Sequence, residues 1–360
     1  MLFIFIQKKL TFARVSVIIL HMENVIANNN TQTNKRNAWL DLIKLIASFM
    51  VVFIHIDFYG TVGVVIDAVA RFAVPLFFAV SGFFTLNASA KTIRHRLVKL
   101  LVIYLIASIV YHVESLINIG FKDYIANSFG IGDFLGFIFL NLPFSSVHLW
   151  FLLALIYVYL IWLLVIKFSI NEKALFIISV VCLVIHLTLG EGLALFNIRI
   201  HESIVRNFAF MGFPFFTLGY LANKHKEKLL KTNNAILIVL LVVGCLESAL
   251  SCVFFDYNEI YIGSICILYA LIVISIKLQE KPLGRFWVLL SKTSTDVYVF
   301  HMLISHVGIS IAKLLEISTE SLVFINVWPL IVCLVCVGLS LIKNVIITKI
   351  KRQQQKSQIA

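Results

Sequence analysis

The sequence has few charged residues, and after its first 36 positions no segment is typical of a soluble domain. Only 13% of its 360 residues are charged, whereas 61% are hydrophobic and the mean hydropathy is +0.98. Soluble domains carry about 25% charged residues. The composition therefore excludes an ordinary soluble protein and predicts an all-α polytopic bundle whose main partner is the lipid bilayer.

Polar neighbours are missing around the cysteines, all of which lie in apolar stretches: Cys182, Cys245, Cys252, Cys266, Cys333 and Cys336. Cys333 and Cys336 have CxxC spacing, but valine, leucine and isoleucine surround them. Two small residues packed within a helix account for this spacing better than a zinc or redox site. We therefore predict no metal site and no permanently bound cofactor.

The net charge of +12 raises the question of nucleic-acid binding. The basic, aromatic-interleaved soluble domain that such binding requires is missing, so we predict no nucleic-acid partner. The positive residues instead fall in alternate loops between apolar stretches, as expected when Lys and Arg stay on the cytoplasmic side. This alternation predicts that both termini are cytoplasmic.

About ten apolar stretches are long enough to span a bilayer. Their approximate limits are 38–57, 62–86, 97–119, 148–168, 173–190, 203–222, 233–254, 260–278, 286–311 and 321–347. We assign residues 37–347 to one transmembrane domain, flanked by an N-terminal tail (1–36) and a basic C-terminal tail (348–360). Residues 1–21 lack a convincing signal-peptide cleavage site, which favours translation from Met22.

The first span carries polar side chains along its whole length. Lys44 and His55 are eleven positions apart, which is three helical turns or roughly 16 Å, so they lie on nearly the same face. Asp41 and Ser48 fall close to that face. Such a stripe is costly in hydrocarbon and predicts a protein or water lining, which we interpret as a path towards His55.

Other ionisable residues fall in the predicted outer half of the membrane, where they often mark a functional site. They are Arg71, Glu114, His148, Glu247 and His301. Each also has a structural alternative. Arg71 would pair with Glu114 or Glu247, His148 would anchor the interface beside Trp150, and His301 would belong to the core.

Five segments resemble the membrane-bound acyltransferase-3 family, in particular surface polysaccharide O-acyltransferases of the enterobacterial common antigen O-acetyltransferase type. They occur in the family's order and are spread from about 36 to 347. The first, in which Lys44 and His55 fill a basic-then-ten-residues-then-His pattern, is the most specific. The segments are WLDLIKLIASFMVVFIH (39–55), RFAVPLFFAVSGFF (71–84), HLWFLLALIYVYL (148–160), FPFFTLGYLANK (213–224) and STDVYVFHMLISH (294–306).

The resemblance implies a ten-helix unit in the bacterial plasma (inner) membrane. It implies transfer of an acyl group, usually acetyl from acetyl-CoA, to a hydroxyl of a glycan or a lipid-linked glycan. The family's Arg-x-x-Arg pair would fall on Arg96 and Lys99, where lysine keeps the charge but loses the bidentate fork. Together with Arg94 and Lys44, these residues are candidates for binding the phosphates of acyl-CoA.

The chemistry of acyl transfer agrees with this assignment. A base must take the hydroxyl proton, and histidine suits this role near neutral pH, so we predict His55 as the general base. Arg71 and His148 are candidates to stabilise the developing oxyanion. Asp41, Ser48, Glu114, Glu247 and His301 are candidates for supporting roles. A multispan transporter or glycan-export component remains the alternative, because buried charges in a helix bundle suit it equally well.

Overall fold

The computed structural model describes residues 37–359 apart from 129, 145, 256 and 257. The side chains of 125–128, 351 and 354–359 also fall outside this description. The predictions about residues 1–36, including the start at Met22, therefore lie outside the described residues. One compact unit comprises residues 37–340, and residues from 341 onward belong to a second unit.

The described chain contains α-helices with short 3₁₀ and π-helical turns and no strand, which confirms the all-α prediction. The helices are α1 Ala38–His55, α2 Gly60–Ala70, α3 Ala73–Phe83, α4 Ala90–Ile119, α5 Phe121–Ser128, α6 Ile131–Leu140, α7 Trp150–Lys167, α8 Glu172–Leu187, α9 Phe213–Lys224, α10 Lys226–Leu229, α11 Asn234–Phe255, α12 Ile262–Leu278, α13 Arg285–Leu290, α14 Ser294–Leu314 and α15 Leu322–Ile359.

In the part of the chain that the structure describes, eight helical segments are long and apolar enough to cross a membrane, so the chain is a multi-pass helix bundle. Two of the ten predicted spans are not among these eight segments. In 203–222 the α-helix α9 begins only at Phe213, after a 3₁₀ turn and a π-helical turn, and 260–278 contains α12, which has 17 residues. The stretch 120–147, interpreted as a loop, contains α5 and α6. The last helix continues to Ile359, into the segment assigned to the C-terminal tail.

The start of α1 is fixed by hydrogen bonds within its first turn and by two bonds to the C-terminal end of α12 and the residues that follow it. The Asn37 side chain accepts hydrogen bonds from the backbone N–H groups of Trp39 and Leu40, which would otherwise be unpaired in the first turn. Its amide also donates to the Ser275 carbonyl at 3.1 Å, and the Trp39 indole donates to the Lys281 carbonyl. These bonds determine how α1 enters the bundle.

The second predicted span, 62–86, is broken at its middle. It consists of α2 and α3, and Arg71 and Phe72 lie in the turn between them. Discontinuous helices in membrane proteins expose backbone and side-chain polar groups at binding sites. Arg71 therefore lies in a turn between two helices and not within a continuous membrane-spanning helix.

Two glycines allow α3 and α9 to pack in close contact. A Cβ atom at Gly82 would lie 1.8 Å from the Phe216 carbonyl oxygen, and one at Gly219 would lie 1.8 Å from that of Ala79. Small residues permit such close approach of membrane helices. The pair forms the centre of the core, where aromatic rings such as Phe78 and Phe151 pack edge to face with centroids 4.7 Å apart.

Candidate active site

A cavity of about 450 Å³ lies beside the end of α1. It receives side chains from α1, α4, α7, α14, the turn between α2 and α3, and the segments before α7, α9 and α12. Its charged and polar lining residues are His55, Arg71, Glu114, Ser115, Ser146, His148, Arg206, Glu259 and His306. The three residues predicted to be catalytic, His55, Arg71 and His148, all line this cavity.

Three histidines from different helical segments cluster beside the cavity, and two of them, His55 and His148, line it. The ring centroids of His55 and His148 are 6.2 Å apart, those of His55 and His301 are 5.4 Å apart, and those of His148 and His301 are 5.0 Å apart. His55 is the last residue of α1 and retains partial exposure, whereas His148 and His301 are buried. Among the described residues, no group of three or more His, Cys, Asp or Glu side chains is arranged to bind a metal.

The orientation of His301 determines its tautomer. Its Nδ1 lies 2.8 Å from the Tyr298 carbonyl oxygen and 3.2 Å from that of Val297. Because carbonyl oxygens only accept hydrogen bonds, Nδ1 must carry the proton, and Nε2 of the neutral ring therefore holds a lone pair. Within the described part of the chain, this buried Nε2 has no hydrogen-bond partner. Buried polar atoms are rarely left without a partner, so this lone pair is a candidate acceptor for a neighbouring N–H or O–H group.

His148 is held by hydrogen bonds on both ring nitrogens. Nε2 lies 3.4 Å from the Val299 carbonyl oxygen, so it donates, and Nδ1 accepts from the Ser146 hydroxyl at 2.8 Å. The Tyr298 hydroxyl donates to the His148 backbone carbonyl. The Tyr111 ring packs edge-on against the imidazole with a centroid separation of 4.7 Å. The ring is therefore fixed in one orientation at the cavity wall.

Two buried arginines that line the same cavity share one carboxylate. Arg71 binds Asp67 through two guanidinium nitrogens, with a shortest distance of 2.7 Å, and lies 3.6 Å from Glu259. Arg206 lies 3.4 Å from the other oxygen of Glu259 and 2.6 Å from Glu202. Buried charges of this kind are stable only when they are paired and hydrogen-bonded.

This network corrects the predicted pairing of Arg71. Its carboxylate partners are Asp67 and Glu259, and neither Glu114 nor Glu247 takes that place. Glu114 instead binds His306 on α14 at 3.1 Å. Glu247 accepts a hydrogen bond from the backbone N–H of Gly263 at 2.5 Å, at the start of α12. Glu114 thus lines the cavity, whereas Glu247 lies outside its lining.

Arg206 and Glu259 are site residues that sequence reasoning missed. Arg206 lies between a 3₁₀ turn, Glu202–Ile204, and a π-helical turn, Phe208–Gly212, and its guanidinium stands 5.6 Å from the Trp150 ring. The irregular backbone here is held by the Asn207 side chain, which accepts from the N–H groups of Ala209 and Phe210. The sequence did contain one signal for this site, because Arg206 is a charged residue near the start of the predicted span 203–222.

The residues predicted to bind acyl-CoA lie away from the cavity lining. Lys44 forms an ion pair with Asp41 at 2.8 Å, and the buried Ser48 hydroxyl bonds within its own helix to the Leu45 carbonyl. At the start of α4, Arg94 and Lys99 are exposed. Arg96 donates to the Phe84 carbonyl oxygen at 2.9 Å, at the end of α3, so it has a structural partner.

Neither a search of curated proteins nor a search of solved structures finds a match to this chain. The profile of an acyltransferase domain, that of acyltransferase family 3, matches residues 37–342. The matched region includes every residue that lines the cavity. The chain therefore belongs to acyltransferase family 3.

Proposed function

We propose that this membrane acyltransferase moves an acetyl group from acetyl-CoA to a hydroxyl of a surface polysaccharide or its lipid-linked precursor. The observation that carries the proposal is the cavity that His55 lines together with two buried arginines, Arg71 and Arg206. A polar cavity with charged walls suits a hydroxyl-rich acceptor, and a histidine at its edge suits proton removal. Acyl-CoA is a co-substrate in this scheme, and the enzyme holds no permanent cofactor.

In the proposed reaction, His55 takes the proton of the acceptor hydroxyl as the oxygen attacks the thioester carbonyl carbon. The C–S bond then breaks, and the CoA thiolate leaves and takes up a proton. Before the C–S bond breaks, negative charge develops on the carbonyl oxygen of the thioester, and hydrogen-bond donors aimed at that oxygen lower the barrier. Arg71 and Arg206 supply such donors, and the buried ring of His148 positions the reacting groups.

We assign His301 the role of a positioning residue that acts through His55. Its Nε2 lone pair is a hydrogen-bond acceptor, and the His55 ring is a neighbour at a centroid distance of 5.4 Å. A small rotation of either ring lets a His55 N–H donate to this atom. That bond leaves the other His55 nitrogen unprotonated towards the cavity, as a general base requires.

Substitution of His301 should distinguish this role from simple packing. His301→Phe fills the space but removes the acceptor, and we expect kcat to fall by about 100-fold while the KM for the acceptor changes little. His301→Gln keeps a carbonyl oxygen as acceptor, so its kcat should stay within about tenfold of the wild type. Equal rates in both variants would show that His301 only packs.

The donor side of the proposal rests on the predicted orientation. Acyl-CoA would approach from the cytoplasm, with its phosphates near Lys44, Arg94, Arg96 and Lys99, and the acceptor would reach the cavity from the opposite side of the plasma membrane. The charge of these residues supports phosphate binding. Of the four, Arg94 and Lys99 are the most accessible.

Mass spectrometry of surface glycans tests the proposed function. Cells that express the protein should carry glycans heavier by one acetyl group per modified sugar, and a deletion strain should lose that mass and regain it on complementation. Loss of succinyl or another acyl mass would change the donor but keep the reaction class. Unmodified glycan that accumulates in the cytoplasm of the deletion strain would instead indicate export.

A further inference from the structure

A second cavity, of about 650 Å³, shares no lining residue with the candidate active site. It is formed by α8, α9, α10 and α12, and we call it the lateral cavity. Its apolar lining consists of Phe176, Leu218, Leu221, Ala222, Leu229, Ile265, Leu268, Ile272 and Val273, with Tyr269 beside them; its charged lining consists of Glu172, Lys173 and His225.

The charged and apolar parts of the lateral cavity lie at different depths. Glu172 and Lys173 begin α8, and His225 directly follows the end of α9, so the charged rim lies at helix ends. The apolar part extends along α12 from Val273 to Ile265, eight residues or about 12 Å along the axis. Helix ends of a bundle meet the membrane surface, whereas the middle of α12, an apolar helix within the predicted span 260–278, is expected to lie in hydrocarbon. The cavity therefore extends from the interface into the bilayer.

The rim carries more positive than negative charge. Its one carboxylate, Glu172, is already paired with Lys224 at 2.5 Å and with His225. Lys173 is exposed and makes no ion pair or hydrogen bond with any residue that the structure describes. Lys226 and Lys228 follow in α10 with Glu227 between them, which leaves a further excess of one positive charge. A negatively charged group at the rim would meet an available ammonium group.

We propose that the lateral cavity binds a membrane phospholipid with an anionic headgroup. One acyl chain fills the apolar part between α9 and α12, and the headgroup phosphate lies at Lys173. The shape requires an occupant that is apolar for about 12 Å and anionic at one end, which a phospholipid provides. By the predicted loop orientation this lipid belongs to the cytoplasmic leaflet, where anionic lipids attract basic residues.

The structural alternative is that these lysines only anchor the bundle at the interface, with bulk lipid against an uneven surface. The two accounts differ in headgroup selectivity. An anchoring lysine interacts equally with the surface of any lipid mixture of the same charge, whereas a bound lipid depends on both the rim and the volume behind it. Each part can be changed separately.

The test measures lipid retention by the purified full-length protein with native mass spectrometry. Phosphatidylglycerol and phosphatidylcholine with identical acyl chains are titrated into detergent micelles that contain the wild type, Lys173→Gln, Ala222→Phe or the control Lys313→Gln. Lys313 is an exposed lysine in the last turn of α14 and lies outside the cavity lining. Each variant must first elute as a monodisperse peak.

We expect phosphatidylglycerol to bind more tightly than phosphatidylcholine. Lys173→Gln should weaken phosphatidylglycerol binding by about fivefold, the loss expected for one lysine near a headgroup, with phosphatidylcholine unchanged. Ala222→Phe should weaken both lipids, and Lys313→Gln neither. Equal retention of the two lipids by the wild type, or retention insensitive to both cavity variants, overturns the proposal. The readout is independent of catalysis.

Discussion

His55→Ala should lose acyl transfer almost completely while the protein still reaches the membrane. General-base catalysis contributes about 10²–10⁴-fold to rate, so we expect a fall of at least about 100-fold in kcat. His55 is the partly exposed histidine of the three-ring cluster, and it lines the cavity together with Arg71 and Arg206. His55→Gln should behave in the same way, because an amide fills the space but does not accept the proton.

The matched control is His112→Gln. His112 lies on α4, outside the cavity lining, and contacts the Tyr124 hydroxyl. This variant should keep activity within about twofold of the wild type if the effect at His55 is specific to the base. Both proteins are compared at equal membrane abundance. Retained glycan acetylation in His55→Ala would exclude His55 as the base.

Arg71→Met should both destabilise the protein and inactivate it. Removal of one partner from a buried ion pair costs about 3–5 kcal/mol, because the remaining charge is left without compensation. Here the remaining charges are Asp67, which Arg71 binds at 2.7 Å, and Glu259. Arg94→Met, an exposed arginine on α4, should leave the melting temperature in detergent unchanged.

A second-site change separates the structural role of Arg71 from its role in catalysis. The double variant Arg71→Met with Asp67→Asn removes the carboxylate that Arg71 compensates, so we expect the melting temperature to recover at least half of the loss. Activity should stay at the level of Arg71→Met, since position 71 still offers no guanidinium to the cavity and Arg206 alone remains. If activity recovers together with stability, Arg71 is a structural residue only. The coupling follows from the direct contact of the two side chains.

The first helix shows how far the sequence can lead. The predicted limits 38–57 agree with α1, and the interval between Lys44 and His55 places them on one face. Sequence reasoning could not tell that Lys44 pairs with Asp41 and that the Ser48 hydroxyl bonds within the helix. Helical periodicity specifies a face, but local hydrogen bonds decide which side chains on that face remain accessible.

The interruptions of the helices within two predicted spans could not be predicted from hydropathy. A window of apolar residues has the same mean hydropathy whether or not its helix is continuous, so 62–86 and 203–222 were assigned as ordinary spans. In the structure, Arg71 lies at the first break and Arg206 beside the second. Glu259, in the loop between the predicted spans 233–254 and 260–278, binds both arginines. Contacts over such long sequence separations have no local signal.

The central claim is that this chain transfers an acyl group from CoA through a His55-dependent step. The most direct measurement is a single-turnover assay with purified protein, isotopically labelled acetyl-CoA and extracted glycan acceptor. We predict one free thiol released for each labelled ester formed on the glycan, and neither product with His55→Ala. Thiol release without labelled glycan, or equal labelling by the wild type and His55→Ala, would contradict the account.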